Sequence, residues 1–187
     1  LSGFAPSSSS AGCQPKHFIG VDREIIREGC EGLLLNLGPH LQGVHSNLLV
    51  MREMLTLSAE IAGVIPKCVA MQWLPSATAI STQRFVHNVT RWTDHGEFPI
   101  DPLIALQLKS IGGTHSEGLT LFTGQELRIE PEATLDPNSV IQIGKRLLGY
   151  LALRGPISKA EEVAGPDGSP IRLEPSNNGK FVRAWRS

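Results

Sequence analysis

The spacing of apolar residues along this chain alternates between two periods, and the alternation predicts the elements. Leu33–Leu37 is a short continuous apolar run closed by Gly38-Pro39, the pattern of a buried strand. Ser46 or Asn47 then offers a helix N-cap, and Met51, Met54, Leu55, Ser58, Ala59 and Ala62 follow at spacings of three and four. That helix is expected to end at Gly63. Lys67–Leu74 is apolar on both alternating faces and predicts a central strand stopped by Pro75. Ser81 or Thr82 caps a second helix, with Phe85, Val89 and Trp92 on one face. Thr93–Asp101, polar and carrying Pro99, predicts a loop, and Leu103–Lys109 a strand. Leu119–Phe122 and Glu126–Glu130 flank Thr123-Gly124 as two strands, the second with Leu127 and Ile129 on one face and Glu126, Arg128 and Glu130 on the other.

The clearest helix is Pro137–Leu153. Asp136 is a natural N-cap, Pro137 suits the first helical position, and Val140, Ile143, Leu147, Leu148 and Leu151 make the stripe. Gly155-Pro156 ends it. Gly165-Pro166-Asp167-Gly168 is a turn by composition, and Ile171–Glu174 and Phe181–Trp185 close the chain as a hairpin through Asn177-Asn178-Gly179. The expected order is β-α-β-α-β-β-β-α-β-β. It predicts an α+β fold: a mixed, mainly antiparallel sheet of about six strands with three helices packed on it. The early β-α-β step over Leu33–Leu74 is expected to form a parallel pair through a right-handed crossover. Residues 1–15, rich in Ser, read as a flexible leader, and residues 16–187 as a single α+β domain.

Composition narrows the function classes. The 187 residues are 41% hydrophobic and 19% charged, ordinary for a folded domain. A formal net charge of −1 lacks the basic surplus that neutralises phosphates, so no nucleic-acid partner is expected. No apolar run approaches the length of a membrane span, so no membrane partner is expected either. Three cysteines with no CxxC make neither a disulfide framework nor a zinc knuckle; a reducing, cytoplasmic setting is expected.

The run Thr114-His115-Ser116-Glu117-Gly118-Leu119-Thr120-Leu121-Phe122-Thr123-Gly124-Gln125-Glu126-Leu127-Arg128-Ile129-Glu130 resembles the bacterial domain-of-unknown-function family 4261. Gly118, Leu119, Phe122, Gly124, Glu126, Leu127 and Ile129 fall on that family's pattern. Cys68-Val69-Ala70-Met71-Gln72-Trp73 and the helix Pro137–Leu153 followed by Gly155 agree with it. The likeness runs from Leu33 to the C-terminus; the family's front portion has no counterpart in Leu1–Gly32. It implies a bacterial α+β domain without an established activity, and it carries no catalytic residues over.

Candidate chemistry fails mostly on spacing. His40 and His45 share a loop, but no other ligand stands at metal spacing. Asp94-His95 with Glu97 reads as a polar loop. His115 and Ser116 are strand neighbours whose side chains point to opposite faces, which argues against a nucleophile and base in contact. Gly112-Gly113-Thr114 lacks the rest of a P-loop. No cofactor motif occurs. The best candidate binding region gathers His115, Glu117, Glu126, Arg128 and Glu130, with Glu126 as polar anchor and carboxylates about 7 Å apart along the strand. Two readings follow: a non-enzymatic bacterial interaction or accessory domain with a protein partner, of the immunity or secretion-associated kind, or a small-ligand-binding or hydrolase-like enzyme with a polar pocket around Glu126.

Overall fold

The computed structural model describes residues 5–6, 14–27, 31–41, 46–108, 113–130 and 137–186. The chain divides into two compact units, Leu1–Pro102 and Leu103–Ser187. Its described residues form an α+β fold, with a six-stranded mixed sheet, a three-stranded sheet, a two-stranded pairing, and three helices of seven residues or longer.

In the first unit, β1 (Ala5–Pro6) pairs antiparallel with β3 (Glu31–Gly32). Between them lie β2 (His17–Ile19) and the short α1 (Arg23–Arg27), whose start is tied by the Glu24 N–H donating to Asp22 Oδ1 at 2.9 Å. A single 3-10 turn covers Pro39–Leu41. Helix α2 runs Leu48–Val64, one residue past the expected stop, with Asn47 as its cap accepting from the N–H groups of Leu49 and Val50. Its inner face is Met51, Leu55, Ser58 and Ala62. Helix α3 (Thr82–His95) buries Phe85, Val89 and Trp92, as the periodicity predicts, and α2 packs along it. Gly96, at φ 73°, takes the left-handed turn that closes α3, and Trp92 meets Phe98 edge-on with ring centroids 5.5 Å apart.

Strands β4 (Ala70–Trp73) and β5 (Thr78–Ser81) form a hairpin, and β2 pairs parallel with β5, giving the order β2-β5-β4. Three expectations are corrected here. Leu33–Leu37 is not a strand: it enters no ladder among the described residues, and Leu33 and Leu34 are exposed. The parallel pair therefore joins β2 to β5 rather than starting at Leu33. Strand β4 is an edge, not a centre. The central place belongs to β5, where Thr78, Ala79 and Ile80 are wholly buried and the Ser76 and Thr78 hydroxyls satisfy each other at 2.8 Å. Thr93–Asp101 also differs, since α3 continues to His95 and α4 occupies Ile100–Leu103.

The second unit contains the larger sheet, in the order β6 (Ala105–Leu108), β7 (Thr114–Glu117), β8 (Glu126–Ile129), β11 (Phe181–Arg186), β10 (Pro170–Pro175) and β9 (Glu161–Ala164). All neighbours are antiparallel except β8 and β11. The expected hairpin of β10 and β11 is present, with its register from Ile171↔Arg186 to Pro175↔Val182. Leu119–Phe122, expected as a strand, instead makes the single helical turn α5 (Thr120–Thr123); the partner of β8 on that side is β7. Helix α6 (Pro137–Arg154) buries Ile143, Leu147, Leu148 and Leu151, and Gly155 at φ 88° ends it. Asp136, its expected cap, lies outside the described residues, as do Cys13, Cys30 and most of the expected leader. Gly144 lets α6 approach the sheet: a Cβ there would stand 2.8 Å from Leu106 Cδ1 and 3.3 Å from Ile129 Cδ1. The core of this unit thus lies between α6 and the sheet face carrying Leu127, Ile129, Ile171, Leu173, Val182 and Ala184, all buried.

Candidate functional site

Period-two alternation puts the polar residues of the large sheet on the face opposite that core. His115 stands opposite Arg128 in the β7–β8 register, and Arg128 opposite Arg183 in the β8–β11 register. Glu117 is two residues from His115, and Glu126 and Glu130 are two from Arg128. One sheet face therefore carries all five sequence-predicted candidates, but the contacts of four of them show side chains engaged with their own fold.

Glu126 is the clearest case. Its Oε1 accepts from the N–H of Gly118 at 2.9 Å, the N–H of Thr120 at 3.1 Å and the Thr120 hydroxyl at 2.8 Å. Its Oε2 accepts from the Leu119 N–H at 3.2 Å and from the Ser116 hydroxyl. The Ser116 hydroxyl in turn accepts the Leu127 N–H at 2.8 Å, standing in for a ladder carbonyl where β7 parts from β8. The carboxylate thus organises the 116–120 turn. Gly118, at φ 107°, supplies the backbone reversal that turns three successive N–H groups toward it. Ser116, 2% exposed, is spent in this network, and its side chain points away from that of His115.

Glu117 accepts from Gln107 Nε2 at 2.6 Å. Glu130 receives Arg183 Nε at 2.8 Å and lies 3.5 Å from Arg128 Nε. The hydrogen bond it donates to Glu130, followed by the charge of that carboxylate, holds the Arg183 guanidinium more firmly protonated than usual. Arg183 also lies over the Trp185 ring, 5.5 Å from its centroid. With Arg128 and Arg183 about half exposed, solvent screens these pairs and they add little to stability. Glu97, expected in a loop with Asp94-His95, pairs with Arg91 at 2.6 Å beside the end of α3. His40 sits in the 3-10 turn, and His45 lies outside the described residues. Among the described residues no group of three or more His, Cys, Asp or Glu is placed to hold a metal ion.

Two features escaped the sequence reading. Gln125, 6% exposed, donates to the carbonyls of Ile157 at 3.1 Å and Gly179 at 3.2 Å, and accepts the Ile157 N–H at 2.8 Å. A lone Gln beside a Gly-closed turn gives no hint of such a tie. The second feature is on α2. Its outer side carries Leu49, Leu57 and Val64, which are 64%, 50% and 79% exposed. Leu57 and Val64 belong to the series Val50, Met54, Leu57, Ile61, Val64, whose steps of four and three make a second apolar seam beside the buried one. The signal was present in the sequence, because the helix has apolar residues on more than one face.

No family model, curated protein or solved structure matches this chain. Among the described residues no helix is long and apolar enough to cross a membrane.

Proposed function

We propose that this chain is a non-enzymatic interaction or accessory domain of a bacterial protein, acting in a reducing, cytoplasmic setting by holding a protein partner on its surface. The carrying observation is the outward line of Leu49, Leu57 and Val64 on α2. Single exposed apolar residues are ordinary on a protein surface, but a row of them on one helix face is a typical element of a partner-binding surface. The commitments of Glu126 support the same reading, because acid–base work by this carboxylate would first require dismantling the 116–120 turn. The resemblance to family 4261 implies a bacterial domain without an established activity; the immunity or secretion-associated setting, by analogy with small acidic-to-neutral domains, is part of the proposal.

The test is affinity capture from the source cell with the full chain as bait, run beside a Leu57→Asp variant. A protein retained by the native surface and lost with Leu57→Asp is the expected result. No retained protein, or one held equally by both baits, would overturn the reading.

A further inference from the structure

We infer that the outer seam of α2 is a dock for an amphipathic helix whose apolar stripe is bordered by lysine or arginine. The inference rests on the partner-binding reading and specifies the partner's chemistry. The seam Val50, Met54, Leu57, Ile61, Val64 runs about 21 Å at the helical rise, close to four turns, which a partner helix of similar length would cover. Its two sides differ. On one side lie Met51 and Ser58, already buried in the fold. On the other lie Glu53 and Glu60, each one residue before a seam position and both exposed. These are the flanking positions that select partners in helix pairs, and both are acidic.

That charge pattern also argues against a second copy of this chain. Two α2 helices laid antiparallel about Leu57 would bring Glu53 of one beside Glu60 of the other at both ends, and like charges there are repulsive. A parallel pair would set these acids against the partner's Met51 and Ser58 flank, which its own fold already covers. A partner with basic flanks converts the repulsion into attraction while burying Leu57 and Val64.

The probe is a synthetic helix of about three heptads, with leucine at the two seam positions and lysine at the flanking ones. Its binding to the full chain is read by fluorescence anisotropy. The expected result is saturable binding that weakens at least tenfold for the Glu53→Lys, Glu60→Lys double variant, weakens with added salt, and is lost for Leu57→Asp. A matched peptide with glutamate at the flanking positions should not bind. Circular dichroism and the urea midpoint of each variant confirm that it is folded. The proposal is overturned if the lysine peptide does not bind, if the charge-reversed chain binds it equally, or if the glutamate peptide binds as well. A concentration-dependent dimer in sedimentation that Leu57→Asp abolishes would also overturn it, assigning the seam to a second copy. If the capture experiment yields a Leu57-dependent partner while the peptide fails, the partner-binding reading stands and the helical, basic occupant falls.

Discussion

Removing the Glu126 carboxylate is the sharpest test of whether this residue builds the fold or serves a site. Glu126→Ala leaves the N–H groups of Gly118, Leu119 and Thr120 and the hydroxyls of Ser116 and Thr120 without their common acceptor. A hydrogen bond to a charged acceptor contributes about 1.5–3 kcal/mol, but five on one carboxylate do not add, and water reaches this half-buried turn, so the expected loss is about 2–4 kcal/mol. Glu126→Gln keeps the shape and one good acceptor oxygen but turns an NH2 toward backbone donors, so about 1–2 kcal/mol is expected. In urea, with a slope of about 2 kcal/mol per molar, the alanine variant should shift the midpoint by roughly 1–2 M. Amide exchange at residues 118–120 should accelerate in the same variant, localising the loss to the turn. A loss for Glu126→Ala below about 0.5 kcal/mol, with exchange at 118–120 unchanged, would refute the structural role and return Glu126 to the list of functional carboxylates.

Three further outcomes are expected. Gln125→Met, close in volume, leaves the Ile157 N–H buried without its acceptor and should cost about 2–4 kcal/mol by denaturant titration. Gly155→Ala places a Cβ at φ 88° and should destabilise by about 1–2 kcal/mol, read as a drop in melting temperature. Asp167 is held below the ordinary carboxylate value, chiefly by the Ser169 hydroxyl donating at 2.6 Å, then by the Ser169 N–H. A depressed folded value means that this group's contribution is present above the unfolded value and lost as pH falls through the folded one. An NMR titration should therefore show an Asp167 midpoint below that of a free aspartate, and Ser169→Ala should move it upward; an unchanged midpoint in that variant would disprove the stated cause.

The tertiary structure also explains why a face crowded with charged groups is a poor place to look for chemistry. Glu130 is shared by Arg128 and Arg183 and Glu117 takes Gln107, while on the opposite, helix-covered face Glu161, paired in register with Leu173, accepts both the Tyr150 hydroxyl at 2.7 Å and Arg154 at 3.1 Å. The hydrogen bond to Glu161, with a smaller contribution from burial, keeps the Tyr150 phenol protonated beyond its usual range. Each of these acids thus has an internal partner.

Periodicity alone determined the three long helices and the strands β8, β10 and β11, because a helix or an alternating strand writes its buried face into its own local spacing. Met51, Leu55, Phe85, Val89, Leu127 and Leu147 lie where that spacing puts them. Pairing was different. A strand exists only if another chain segment completes its ladder, and that depends on residues far away in sequence. Thr78–Ser81, short and preceded by Pro75-Ser76, carries no local sign of being central, while Leu33–Leu37 has the apolar run of a strand and enters no ladder among the described residues. The same holds for the candidate site. Local spacing put Glu126 on the polar face of its strand, but only the path of the chain through Gly118 set three N–H groups against its carboxylate.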